Sequence, residues 1–179
     1  MSLKNRIPNT QQIIAVYGVI SFIIYGWTLL QFFWRLPSWE YFFTTGNIFT
    51  VLAYALATNL LESLTVLLLP LMLSIILPGG WFKDVFVSRA SILVMSGLGY
   101  IIYVSRYLTS TPDYYYPINL LRLTPAIGVL IFLLAFLIDR VSLLRKVVED
   151  IADRSAIFTY IFMPLGIVSL LVVIARNIF

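Results

Sequence analysis

The sequence predicts an all-α, polytopic membrane bundle of five transmembrane helices, with the N-terminus inside and the C-terminus outside. Three observations carry that expectation. The first is composition: 61% of the 179 residues are apolar, 11% are charged, and the mean hydropathy is +0.97. A soluble domain has roughly 45–50% apolar and about 25% charged residues. A soluble globule, a disordered chain and a nucleic-acid binder are thereby excluded, despite a formal charge of +4. The second is a set of five apolar runs, most approaching or exceeding the roughly 20 residues needed to cross a hydrocarbon core of about 30 Å. The third is a bias in Lys and Arg between the two sets of loops.

The first span is expected over 13–33, after Lys4 and Arg6. Its apolar core exceeds the roughly 7–15 residues of a signal-peptide core, and bulky Phe32-Phe33-Trp34 follows it, so it reads as a retained helix. The second apolar block reaches from Tyr41 to Leu77, too short for two helices with a turn, and reads as one tilted span over about 45–77. Pro37-Ser38 is expected to form its entry turn, Pro70 to kink it and Pro78-Gly79-Gly80 to end it. The remaining spans are expected near 91–107, 123–138 and 157–175, the fourth opening at Thr124-Pro125 and the fifth carrying Pro164. No repeat or linker divides the chain, so residues 1–179 read as a single integral-membrane domain.

Lys4, Arg6, Lys83, Arg89, Arg140, Arg145, Lys146 and Arg154 fall on the side of the N-terminus, against Arg35, Arg106, Arg122 and Arg176 opposite. Eight against four places the N-terminus in the cytoplasm by the positive-inside rule, in the inner membrane if the host is bacterial.

No Cys and no His are present. Thiolate chemistry, Fe–S clusters, imidazole bases and His-bound metals are therefore closed to this chain, and neither a metal nor a cofactor is expected. The costly polar residues are what remain. Glu62 falls near the middle of the second span, where a carboxylate costs about 2.5–3.5 kcal/mol on insertion scales. Asn47, Thr50, Tyr54, Thr58, Glu62 and Thr65 follow steps of 3, 4, 4, 4 and 3 and share one helix face. Such a stripe is expected to face the bundle or a wet cavity. It reads either as a path or pocket with Glu62 as proton carrier or ligand, or as interhelical glue worth about 0.6 kcal/mol per bond. Gly18, Ser21, Tyr25 and Thr28 form a small and polar stripe on the first helix suited to close packing.

Two further groups stand out. Arg106, Tyr114, Tyr115, Tyr116 and Arg122 surround the second outer loop and read as an anion or lipid-headgroup site, or as an aromatic belt with snorkelling arginines. Residues 139–154 are expected to form a cytoplasmic amphipathic connector, whose Leu144, Val147, Val148 and Ile151 offer a partner-docking face. Three pairs spaced i, i+4 are available there: Arg145/Glu149, Lys146/Asp150 and Asp150/Arg154.

Taken together, these features suit a small non-catalytic subunit or accessory protein of a larger membrane complex. Its expected partners are the lipid bilayer and other membrane subunits or further copies of itself, not nucleic acid. A small oligomeric ion- or proton-coupled transporter using Glu62 is the alternative, and a lipid- or glycan-processing enzyme with an outer Arg/Tyr site the third.

Overall fold

Each of the five apolar runs forms a helix. The structure, a computed structural model, describes residues 7–78, 82–110 and 118–178, and every regular element among them is helical. The helices are α1 (Thr10–Trp39), α2 (Thr45–Ile76), α3 (Phe86–Ser110), α4 (Ile118–Leu137) and α5 (Ser142–Ile178), with short 3-10 turns at Lys83–Val85 and Ile138–Arg140. All five are long and apolar enough to cross a membrane. The end where α1, α3 and α5 begin is here the basic end, and the opposite one the aromatic end.

Several boundaries differ from the sequence expectation, each for a local reason. Pro37 does not open the second helix; it lies inside the last turn of α1, which runs on to Trp39. The turn comes later, and Thr44 rather than Ser38 caps α2, its hydroxyl accepting from the Asn47 backbone N–H at 3.4 Å. Pro125 likewise lies inside α4, which begins seven residues earlier at Ile118. A proline ring has a helix-compatible φ, so in an apolar helix the loss of one backbone bond is tolerated. The charged stretch after α4 is not an extension of α4. It turns once through Ile138–Arg140 and then forms the first turns of α5, which continues unbroken for 37 residues. Of the three expected i, i+4 pairs, Arg145–Glu149 forms, Nε to Oε1 at 2.8 Å.

Helix α1 is the central element, packing against α2, α3 and α5. It starts with the Asn9 backbone N–H donating to Gln12 Oε1 at 2.9 Å, which satisfies a donor at the helix entry. Its seam with α5 is a close backbone approach. A Cβ on Gly18 would lie 2.3 Å from the Ser155 carbonyl oxygen, so only glycine lets these backbones meet. One turn on, Phe22 meets Phe158 with ring centroids 4.8 Å apart, and Tyr25 stacks on Phe162 at 4.6 Å. The packing stripe expected on the first helix is thus buried at Gly18, Ser21 and Tyr25.

The apolar core lies toward the basic end. Val16, Ile20 and Ile24 of α1 meet Phe86, Ala90 and Val94 of α3 together with Phe82, and the end of α2 closes on them through Leu71, Leu73 and Leu77. Helix α4 packs chiefly on α3 and reaches this core through Phe136.

Candidate functional site

Helix α2 has two polar lines, and they face opposite ways. The buried line is Asn59, Ser63 and Ser74, flanked by Leu56, Ala57 and Leu60. It faces α1: Tyr17 OH and Ser63 Oγ are 3.1 Å apart, and Thr28 Oγ1 donates to Asn59 Oδ1 at 3.0 Å. Counting 100° per residue, the stripe from Asn47 to Thr65 is centred about 150° away from that line, with Glu62 at its edge nearest Asn59. The structure therefore turns the predicted stripe outward, with Asn47, Tyr54, Thr58, Glu62 and Thr65 all exposed. A helical period shows which residues share a face, but the direction of that face is set by the neighbouring helices.

Most of the outward stripe is satisfied without a partner helix. Thr50, Thr58 and Thr65 each return their hydroxyl to the carbonyl four residues back, at 2.8, 2.9 and 2.8 Å. Threonine does this readily inside a helix, which lets it face an apolar medium. Near the aromatic end, the last turn of α5 reaches the stripe: Asn177 Nδ2 donates to Tyr54 OH at 2.8 Å and the Arg176 guanidinium to Thr50 Oγ1. Glu62 is different. Its carboxylate makes no hydrogen bond or ion pair among the described residues, about 26 Å along α2 at 1.5 Å per residue.

Thr58, Glu62 and Thr65 form one wall of an open groove of about 490 Å³. Ile24, Trp27 and Thr28 of α1 form its floor, and Leu98, Ile101, Ile102 and Ser105 of α3 the opposite wall. Apart from Glu62 and a few hydroxyls the lining is apolar. A lone carboxylate here can accept hydrogen bonds or pair with a cation. Among the described residues no group of three carboxylates could hold a metal.

The other predicted groups separate. Tyr114, Tyr115 and Tyr116 lie outside the described residues. Arg122 is exposed near the start of α4. Arg106 instead joins residues of α1: its guanidinium lies 5.6 Å from the Trp34 ring centroid, and both line a pocket of about 340 Å³ with Gln31, Arg35 and Thr109. Sequence reading missed Arg35 as its companion. The available signal was that Arg35 and Arg106 each sit at the aromatic end of a helix next to aromatic residues.

The predicted docking face on 144–151 is half covered by the chain itself. Val148 is buried, and Leu144 and Val147 line an apolar cleft of about 550 Å³ shared with Ile92 and Met95 of α3 and Leu134 and Leu137 of α4. Ile151 is exposed.

One ion pair at the basic end was not anticipated. Arg89 Nε and Nη2 each lie 2.5 Å from Asp139 Oδ2, and Ser88 Oγ donates to Asp139 Oδ1 at 3.3 Å. It ties the start of α3 to the turn after α4.

Comparison with family profiles, with curated proteins and with solved structures finds no match to this chain.

Proposed function

We propose that this chain is a non-catalytic subunit or accessory protein of a larger membrane assembly, and that another membrane protein covers the outward face of α2. The observation that carries the reading is Glu62. A carboxylate at mid-helix costs about 2.5–3.5 kcal/mol to place in hydrocarbon. The bundle spends its buried polar contacts on Asn59 and Ser63 and offers Glu62 no partner among the described residues. A molecule outside the bundle must then shelter it.

That molecule is better a different protein than a second copy. Among the described Lys and Arg residues, all but Arg154 lie in a turn or within about four residues of a helix end; Arg154 lies twelve residues into α5, beside the Ser155 that meets Gly18. A second copy packed α2 against α2 would set carboxylate near carboxylate. A partner helix with a basic or hydrogen-bond-donating side chain at mid-depth fits. The Lys/Arg bias supports a cytoplasmic N-terminus.

The test is site-specific photocrosslinking in native membranes followed by identification of the products. A crosslinker at outward Leu61 or Leu69 should capture one defined heterologous membrane protein, and one at inward Leu60 should not. Capture of lipid alone at both outward positions, or of a second copy, sinks the reading.

A second reading, a small transporter using Glu62, draws support from the groove that opens onto this carboxylate. It requires that Glu62→Gln abolish a flux measured with the chain reconstituted in vesicles.

A further inference from the structure

We infer that the partner seats a single transmembrane helix in the groove between α2 and α3, with one lysine or arginine at mid-helix paired to Glu62. This seat rests on the reading that a membrane protein covers α2, and adds where that protein sits and what it carries.

The groove has two walls of matching period. On α2, Thr58, Leu61, Glu62 and Thr65 line it at i, i+3, i+4 and i+7. On α3, Leu98, Ile101, Ile102 and Ser105 line it at the same spacing. Each set is one helix face, two turns long. Ile24 and Trp27 of α1 close the floor. Toward the basic end Leu71, Leu73 and Leu77 of α2 close on the core shared with α3, and beyond it the two walls stand apart. A helix is about 10 Å across, so two turns of one exceed the space of about 490 Å³. The partner helix therefore enters by the side chains of one face, as a ridge packs into a groove.

The chemistry of the occupant follows from Glu62. The threonines beside it are already bonded: Thr28 donates to Asn59, and Thr58 and Thr65 donate to carbonyls of their own helix. Glu62 lies at least fourteen residues from either end of α2, or about 21 Å. A lipid headgroup stays at the interface and cannot bring its ammonium to that depth, while an acyl chain leaves the carboxylate bare. A lysine or arginine in the middle of a helix supplies three or five N–H donors there. Its neighbours on the same face meet leucine, isoleucine and tryptophan, so a second charge among them would go unpaired. The partner helix is thus a run of about 20 apolar residues broken by one central cation.

The test uses the full chain in native membranes, with a photoreactive residue at Leu61, at Ile101 or at Tyr103. Leu61 and Ile101 stand on the two walls, and Tyr103 lies about 150° round α3 from the groove. All three are exposed, so the replacements leave the bundle intact. Crosslinked peptides are sequenced by mass spectrometry. Leu61 and Ile101 should capture the same apolar segment, with one lysine or arginine within about two turns of the crosslinked residue; Tyr103 should not capture it. Glu62→Gln, which keeps the side-chain size, should cut the yield at Ile101 roughly tenfold, as expected for losing one charge-assisted bond. A protein captured at Leu61 with lipid alone at Ile101 overturns this seat and leaves the membrane-partner reading standing. Lipid alone, or a second copy, at both positions sinks the two together. A captured segment without a cation, or an unchanged yield in Glu62→Gln, overturns the pairing.

Discussion

Arg89 and Asp139, fifty residues apart in sequence, form the one ion pair between different elements seen among the described residues. Their side chains are 12% and 16% exposed, and the Arg89 guanidinium also lies 4.7 Å over the ring of Phe136. Removing one partner of such a pair leaves a desolvated charge behind. Asp139→Asn should therefore lower stability by about 3 kcal/mol. Replacing both residues with apolar ones of similar volume should recover most of that loss. Unfolding in mixed micelles, followed by far-UV circular dichroism, checks both; equal damage in the single and double variants would show that the pair is not the cause.

Gly18 and Gly26 both lie in α1 and should respond in opposite directions to alanine. At Gly18 the new methyl meets the Ser155 carbonyl, a backbone atom that cannot step aside, so α1 and α5 must separate. Overpacking of this kind costs roughly 1–3 kcal/mol or more. At Gly26 nothing lies within 4 Å of a Cβ, so alanine should gain about 0.5–1 kcal/mol from helix propensity. Thermal midpoints of the two variants in one detergent decide the matter by their sign.

The two polar lines of α2 make a paired prediction. Asn59→Leu removes the acceptor for Thr28 in a buried seam and should destabilise the isolated chain by about 1–3 kcal/mol. Glu62→Leu breaks no described contact and removes a costly charge, so the isolated chain should be as stable or more stable. The same variant should lose whatever protein copurifies with the native chain. If Glu62→Leu unfolds the isolated chain, its carboxylate is serving the bundle after all.

The last turn of α5 is held to α2 by Arg176 and Asn177. Asn177→Ala should release that turn at a cost of about 1 kcal/mol. Hydrogen exchange over residues 172–178 should speed up while the seam around Ser155 keeps its protection. Unchanged exchange at the terminus would mean that the contact with Tyr54 holds nothing.

How much of this was legible in the sequence depends on the range of each signal. Five helices were legible because hydropathy acts over 20 residues at once, and no partner is needed to see it. The ends were less legible, since Pro37 and Pro125 are compatible with both a helix start and a helix interior. The residues from Asn47 to Thr65 were grouped on one face of α2 from their period, which alone left open what that face meets. Direction depends on Tyr17 and Thr28, which bond Ser63 and Asn59 across a distance that no local pattern encodes. Arg89 and Asp139 were missed for the same reason, as were Arg35 and Arg106, which meet only when α1 and α3 lie side by side. Gly18 was read as a packing residue because small side chains at helical spacing serve close approach wherever they occur.

The central place of α1 bears on how the bundle is assembled. It is the first of the five helices in chain order, and three of the later four lean on it. A ribosome delivers helices to the membrane in that order. The pillar is thus standing before its supports arrive, and α2 and α3 find a seat as they enter. The flank of α1 around Gly18 and Tyr25 stays uncovered until α5, the last of the five in chain order, closes on it. A ribosome stalled between α4 and α5 would leave that flank open, the point at which a chaperone or a rival helix could intervene.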